Sequence, residues 1–414
     1  MQILYVLKNL NLLCFMMLSH RQLFLNHVAQ TSPSPIGIEM VKADGIYLQD
    51  INGKQYIDLI SGFSVANIGH SNSKVIEAVK QQAEQYMHLI VYGEFIQQPQ
   101  VAYAKLLADN LPPSLNCIYF TNSGAEATEG AMKLSKRVTG RSKIISFNKS
   151  YHGSTQGALS VMGDEYWRTA YRPLLPDIYH VDYGSQKAID TIDSNTACVI
   201  METVQAEAGI IAPSKEWLQS IRKKCNEHCV LMVLDEIQCG FGRTGTLWAF
   251  EQFDVVPDIL LLGKALGGGM PLGAFIADKK LMNTLTHDPV LGHITTFGGH
   301  PVSCAAGKAA LEVLLGSNCI DQVKRKQEIL VNSISHPSIV SIRNFGLWMA
   351  VQFDSFETNH AIIQNCIEKG IITDWFLFAA NCLRIAPPLI ITEEELAQVC
   401  NRLMESIVEA TGKK

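Results

Sequence analysis

Charge is scarce and unsorted in this chain. Lys, Arg, Asp and Glu make up 18% of its 414 residues, with 34 basic residues against 39 acidic ones and no basic stripe. Nucleic acid is therefore excluded as a partner. No internal apolar run exceeds strand length, well short of the roughly 20 residues of a membrane-crossing helix, so no membrane association is expected. The eleven cysteines, spread from Cys14 to Cys400, are odd in number and include no C-x-x-C pair. That usage points to a reduced, cytoplasmic compartment and away from a disulfide framework. Cys225, His228 and Cys229 stand close together, but no second cluster follows at zinc-site spacing; they read as part of a helix, with no metal.

The N-terminus leaves two readings open. Ile3 to Leu18 is mostly apolar, interrupted by Lys8, Asn9 and Asn11, like the apolar region of a signal peptide. The Ser19-His20-Arg21-Gln22 that follows is no small-residue cleavage site, so the stretch is either a genuine extension or the product of a start upstream of Met16 or Met17. No function is built on residues before Arg21.

At 45.7 kDa the chain suits two domains, and its 47% apolar content suits a sheet covered on both faces. The informative stretch is Val230–Phe275. Val230 to Leu234 is an apolar run ending in Asp235-Glu236, and Ile259 to Leu262 is a second ending in Gly263-Lys264. Both read as buried strands of an α/β sheet, whose carboxyl ends open on the ligand crevice. An acid and an amine then face one crevice. A desolvated lysine there can condense with an aldehyde while the carboxylate holds a pyridinium proton, the pair that pyridoxal phosphate requires. Spacing alone would equally allow a plain ion pair at a strand end. Gly240-Phe241-Gly242-Arg243-Thr244-Gly245 also matches G-x-G-x-x-G, but it neither follows its strand at once nor opens a helix, which excludes a dinucleotide site.

Further along, Cys117–Thr121 reads as a strand running into a turn at Asn122-Ser123-Gly124-Ala125 that opens a helix. Ser123 suits the N-cap, and the helix's free amides suit a phosphate. Arg141 to Phe147 and Ala197 to Met201 read as further strands, and Glu393–Ala410 as the last helix. The segment from Phe24 to about Gly69 reads as an entry helix and a small antiparallel sheet.

The wording around these charges resembles class III, fold-type I pyridoxal-phosphate aminotransferases, the ornithine, acetylornithine and 4-aminobutyrate group. It lies in Leu234-Asp235-Glu236-Ile237-Gln238, Gly242-Arg243-Thr244-Gly245, Pro257-Asp258-Ile259 and Gly263-Lys264-Ala265, and covers nearly all of the chain after the first thirty residues. The resemblance implies an α/β fold like that of aspartate aminotransferase. Its large domain would hold a mostly parallel, seven-stranded sheet flanked by helices over 71–300. A smaller α+β domain would be built from 21–70 and 301–414. It implies Lys264 and Asp235 as catalytic residues and pyridoxal 5′-phosphate as the cofactor, cupped by Ser123, Gly124 and Ala125 and stacked between Tyr151 and Ile237. Gln238 would hydrogen-bond the ring's phenolic oxygen, and Thr296 would reach the neighbouring subunit's phosphate in a homodimer with shared sites. Glu207 and Arg384 would form a substrate switch, with Phe63 bordering the substrate and His152 as a wall residue.

Position 154 departs from the family pattern. Many relatives carry arginine there, and Ser154 cannot form a bidentate clamp on a carboxylate; Arg168 and Arg172 are the nearby substitutes. The implied reaction moves an amino group from an ω-amino donor to 2-oxoglutarate, giving glutamate. The donor is ornithine-like, another basic ω-amine or 4-aminobutyrate-like. An aminomutase of the glutamate-1-semialdehyde type is the alternative on the same fold.

Overall fold

The computed structural model describes residues 18–412, so nearly all of the apolar stretch from Ile3, with Met16 and Met17, lies outside the described residues. The chain enters through a short helix, His20–His27, capped by Ser19 and burying no side chain. Strands β1 (Met40–Asp44), β2 (Tyr47–Asp50) and β3 (Gln55–Asp58) form an antiparallel meander, as the alternating apolar residues predict.

The central sheet is made of β4 (Cys117–Thr121), β5 (Lys143–Phe147), β6 (Ile178–Val181), β7 (Thr196–Glu202), β8 (Leu231–Asp235), β9 (Ile259–Leu262) and β10 (Gly273–Ala277). Their order is β4-β10-β9-β8-β7-β5-β6. Only β10 runs antiparallel to its neighbours, so six strands present their carboxyl ends on one edge. Strand alternation sorts the apolar runs between two cores. Cys198, Ile200, Val233, Ile259 and Leu261 pack with Ala127, Ala131 and Leu134 of the helix Gly124–Thr139. Val199, Met201, Met232, Leu234, Leu260 and Leu262 share the opposite core with Leu218 and Ile221 of the helix Lys215–His228. A strand buried on both faces has no polar face to show, which is why these segments read as unbroken apolar runs.

The order reverses between β5 and β7: from β5 the chain steps outward to β6, then returns to the other side of β5. A crevice at the carboxyl ends beside such a reversal is where ligands bind in open α/β sheets. A second small sheet follows, β11 (Ser341–Asn344), β12 (Met349–Gln352), β14 (Trp375–Phe376) and β15 (Ala379–Ile385), in the order β11-β12-β15-β14. Between β12 and β14, β13 (Ile371–Ile372) leaves this sheet and pairs in parallel with β3. The C-terminal part of the chain is thereby stitched to the N-terminal meander. The last helix, Glu393–Thr411, starts with a Thr392/Glu395 capping box. Cys225 and His228 do lie on one helix, with Cys229 as its exposed C-cap. Among the described residues no helix is long and apolar enough to cross a membrane.

Candidate active site

The apolar run of β8 carries Asp235 to the sheet edge, where the residue is 4% exposed. Its Oδ1 accepts from the Ile237 amide at 2.9 Å and its Oδ2 pairs with His152 Nδ1 at 2.7 Å. Lys264 follows β9 with φ at 49°, a left-handed conformation that a side chain rarely adopts and that accumulates at functional sites. Its Nζ donates to Gln238 Oε1 at 2.6 Å. Burial pushes the Lys264 amine below the usual lysine range, against the pull of Glu207 and Asp235.

The helix Gly124–Thr139 opens into the same space. Ser123 caps it, its Oγ accepting from the Glu126 amide at 3.2 Å. Gly124 is closely approached: a Cβ there would lie 2.7 Å from Ile237 Cδ1 and push the isoleucine tip aside. Together these segments enclose a cavity of about 270 Å³ lined by Ser123, Gly124, Ala125, Tyr151, Asp235, Ile237, Gln238 and Lys264, with His152, Ser154 and Glu202 beside them. Thr296 is exposed and lies outside this lining.

Glu207 and Arg384 meet as the resemblance implies. Arg384 Nη1 and Nη2 donate to Glu207 Oε1 and Oε2 at 3.1 and 2.9 Å. Burial raises a carboxyl's pKa, but the charge and hydrogen bonds of Arg384 outweigh that and hold Glu207 below its ordinary value. Phe63 stands with its ring centroid 5.0 Å from the Arg384 guanidinium carbon. It is carried there by Ser61–Ser64, a single turn in which all four residues have φ between 53° and 66°.

The candidate substitutes for an arginine at 154 are occupied elsewhere. Arg168 is buried, donating to Ser160 O at 3.2 Å and pairing with Glu165; Arg172 donates to Glu165 Oε2 at 2.7 Å. Ser154 instead lies 3.3 Å from the Tyr151 hydroxyl. Neither arginine replaces the clamp, contrary to expectation: both are tied to a local acid, Glu165, three residues from one and seven from the other.

Three groups went unforeseen. His152 is no plain wall residue, since it holds Asp235 while its buried Nε2 meets no hydrogen-bond partner among the described residues. Glu202, ending β7, accepts from the amides of Tyr151 and Ala206 at 3.2 and 2.9 Å. Burial, with Asp235 close by, pushes its carboxyl well above the usual carboxylate range. Asp374 is a second carboxylate on Arg384, at 2.8 Å from Nε. The strand-end signal that found Asp235 would also have found Glu202. The aromatic-His-Gly triplet after β5 marked the place of His152, but not its partner.

A mixed seven-stranded sheet with an acid and a lysine at its carboxyl edge is the architecture of the fold-type I transferases. The chain belongs to the class III aminotransferases: the Aminotransferase class-III family matches residues 28–407. It is 37% identical over 375 residues to an acetylornithine aminotransferase of Methanopyrus kandleri, covering 89% of this chain and 94% of that one. It is 35% identical over 383 residues to a putrescine aminotransferase of Pectobacterium atrosepticum, covering 88% and 81%. The ornithine aminotransferase of Toxoplasma gondii, a structure with partial occupancy of PLP at its active site, superposes with a TM-score of 0.88 at 29% identity, covering 94% of this chain and 93% of that one. The protein is thus a transaminase of a family that depends on pyridoxal phosphate.

Proposed function

We propose that the chain transfers an amino group from a basic ω-amino donor to 2-oxoglutarate, giving glutamate. The observation that carries this reading is the buried, bidentate Glu207–Arg384 pair, whose charges reach Lys264. With Glu207 in place, Arg384 is neutralised and the site accepts a donor end that bears no carboxylate. With Glu207 turned aside, the Nη1/Nη2 fork is available to the carboxylate of glutamate or 2-oxoglutarate.

The lining fits the cofactor. Tyr151 and Ile237 both line the cavity that Asp235 enters, and one oxygen of Asp235 is held by His152. Ser123, Gly124 and Ala125 sit at a helix N-terminus, where amides and dipole favour a phosphate. Bound pyridoxal phosphate supplies an electron sink for the carbanion formed at the substrate carbon. The residues of the chain do the rest. Lys264 would anchor the cofactor, and its Nζ would hold and move a proton at the substrate carbon, a task that its depressed basicity suits. Asp235 would keep the ring nitrogen protonated, and Gln238 would hydrogen-bond the phenolic oxygen. Thr296, which is exposed, would serve the phosphate of a second copy in a homodimer.

Ser154, with Arg168 and Arg172 both tied to Glu165, leaves the donor's far end without a cation from these positions. A diamine or ornithine-like donor then meets no like charge there. The identity to a putrescine aminotransferase supports this choice of class. The test is an absorbance-monitored half-reaction, with holoenzyme mixed separately with ornithine, lysine, putrescine, 4-aminobutyrate, acetylornithine and glutamate. Conversion of the bound cofactor by glutamate and by one basic ω-amine is expected. A response to acetylornithine alone, or turnover that needs no added 2-oxoacid, overturns the assignment.

A further inference from the structure

We infer that Asp374 is a positioning and specificity-determining residue: it holds the Arg384 guanidinium in one plane while Glu207 cedes its place to a substrate carboxylate, and it makes that exchange draw in a proton. This rests on the reading that Arg384 receives the carboxylate of the acceptor substrate.

The hydrogen bonds divide the guanidinium into a fixed edge and an exchangeable one. Nε donates to Asp374 Oδ1 at 2.8 Å and Nη2 to Trp375 O at 3.1 Å. Asp374 is itself fastened to the strand that bears Arg384, whose backbone amide donates to Asp374 O at 2.9 Å. The Phe376 ring centroid stands 4.2 Å from the guanidinium carbon. None of these contacts has to change when a ligand enters. The end-on fork of Nη1 and Nη2 is held by Glu207 alone among side chains. Glu207 comes from the turn after β7, on a different segment, so the movable part of the switch is one side chain.

Charge sets the second half of the argument. Two carboxylates already share one guanidinium that is 1% exposed, and a substrate carboxylate brings a third into the pocket, since Glu207 leaves the guanidinium but stays attached to a buried turn. A buried site does not accumulate unpaired negative charge. The neighbouring groups do not supply the missing cation. Asp58, near Asp374, adds a negative charge and is itself paired with His70 Nε2 at 2.8 Å, while Lys264 lies on the Glu207 side. A proton taken up on entry balances the site. Asp374 is the group suited to bind it, since burial, against the pull of Arg384, pushes its carboxyl up to about 6. Below that pH the proton is already in place. Above it, each pH unit weakens dicarboxylate binding by about tenfold.

The experiment titrates holoenzyme with glutarate, an unreactive dicarboxylate, by calorimetry in two buffers of different ionisation enthalpy, from about pH 6 to pH 8.5. The wild type is expected to take up about one proton per glutarate and to lose about tenfold in affinity per pH unit. Asp374→Asn keeps an oxygen for Nε but not the charge. It should bind glutarate at least about tenfold more tightly near pH 8, with no uptake and a flat profile. Asp374→Ala, which also loses the hold on Nε, should bind more weakly than Asp374→Asn. Unchanged uptake and slope in Asp374→Asn, with glutarate binding abolished in Arg384→Gln, overturns this inference and leaves the parent reading standing. Uptake lost in Glu207→Gln and kept in Asp374→Asn also overturns it. Undiminished binding in Arg384→Gln overturns the parent reading and this inference with it.

Discussion

His152 Nδ1 and Asp235 Oδ2 lie 2.7 Å apart, both side chains buried, with β5 and β8 as their separate supports. An acid placed to keep a ring nitrogen protonated must itself stay ionised and aimed. A hydrogen bond from a second strand-end loop fixes its aim. Replacing His152 with alanine leaves a buried carboxylate short of a partner, at a cost of about 1–3 kcal/mol. Cofactor retention, measured by titrating the apoprotein with pyridoxal phosphate, should weaken by roughly 10- to 100-fold. Asparagine at the same position should recover part of the loss. An unaltered affinity in His152→Ala would show that Asp235 needs no such support.

Lys264 gives opposite outcomes for function and stability. Lys264→Met should abolish turnover and the visible absorbance of lysine-linked cofactor. The same substitution should stabilise the apoprotein near neutral pH. Because burial depresses the folded-state pKa of Lys264, the unfolded chain binds the extra proton. Stability therefore rises with pH from the folded value up to the unfolded lysine's value near 10.4, by about 1.4 kcal/mol for each unit of depression. Denaturant melts of the two apoproteins across pH would show that slope in the wild type and its absence in Lys264→Met.

Glu207→Gln should separate the half-reactions. The glutamate half-reaction should persist while the ω-amine half-reaction falls by roughly tenfold or more, read in single-turnover absorbance, because the Nη1/Nη2 edge of Arg384, uncovered by the loss of Glu207, disfavours a cationic donor. Stability should fall by about 3 kcal/mol, near the low end for a broken buried pair, since Asp374 remains on the guanidinium. Glu207 is held below the ordinary range, so its contribution is present above the unfolded glutamate's pKa and is lost as pH falls through the folded value. The stability gap between the two proteins should begin to narrow as pH falls below the unfolded glutamate's value of about 4.3 and close below the lower folded value.

Gly124→Ala should press on the slot. The new Cβ would lie 2.7 Å from Ile237 Cδ1, and the isoleucine tip would yield by entering the cavity. Cofactor affinity should drop by about tenfold, and Ile237→Val in the same chain should restore most of it. Failure of that second change to rescue binding would place the defect in the helix terminus instead.

Asp235 and Lys264 were legible because a strand buried on both faces leaves a long apolar run, and the charge that breaks it stands at the sheet edge. Ser123 was legible for a local reason as well, since capping acts over three residues. The Glu207–Arg384 pair was reached only through the resemblance, because it joins the turn after β7 to β15 across 177 residues. Asp374 was missed for a related reason. It faces Arg384 across a hairpin, and nothing in the residues Ile371 to Ile385 says which way an isolated aspartate will turn. The Arg168 and Arg172 reading failed where local spacing held the answer, in Glu165. Phe63 was foreseen as a border residue, but not the backbone that presents it, since Ser-Gly-Phe-Ser offers one glycine for a turn with four positive φ values.

That turn has the handedness of a mirror-image chain. For L-residues a left-handed helical turn costs roughly 1–2 kcal/mol per non-glycine position, and D-residues would adopt it freely. Its contacts, among them the Ser61 hydroxyl bonded to Ala386 O and Phe63 over Arg384, must hold it in place. A semisynthetic protein with D-phenylalanine at position 63 would relax the backbone and redirect the ring together, so that chirality at a single carbon would set how firmly the guanidinium is covered.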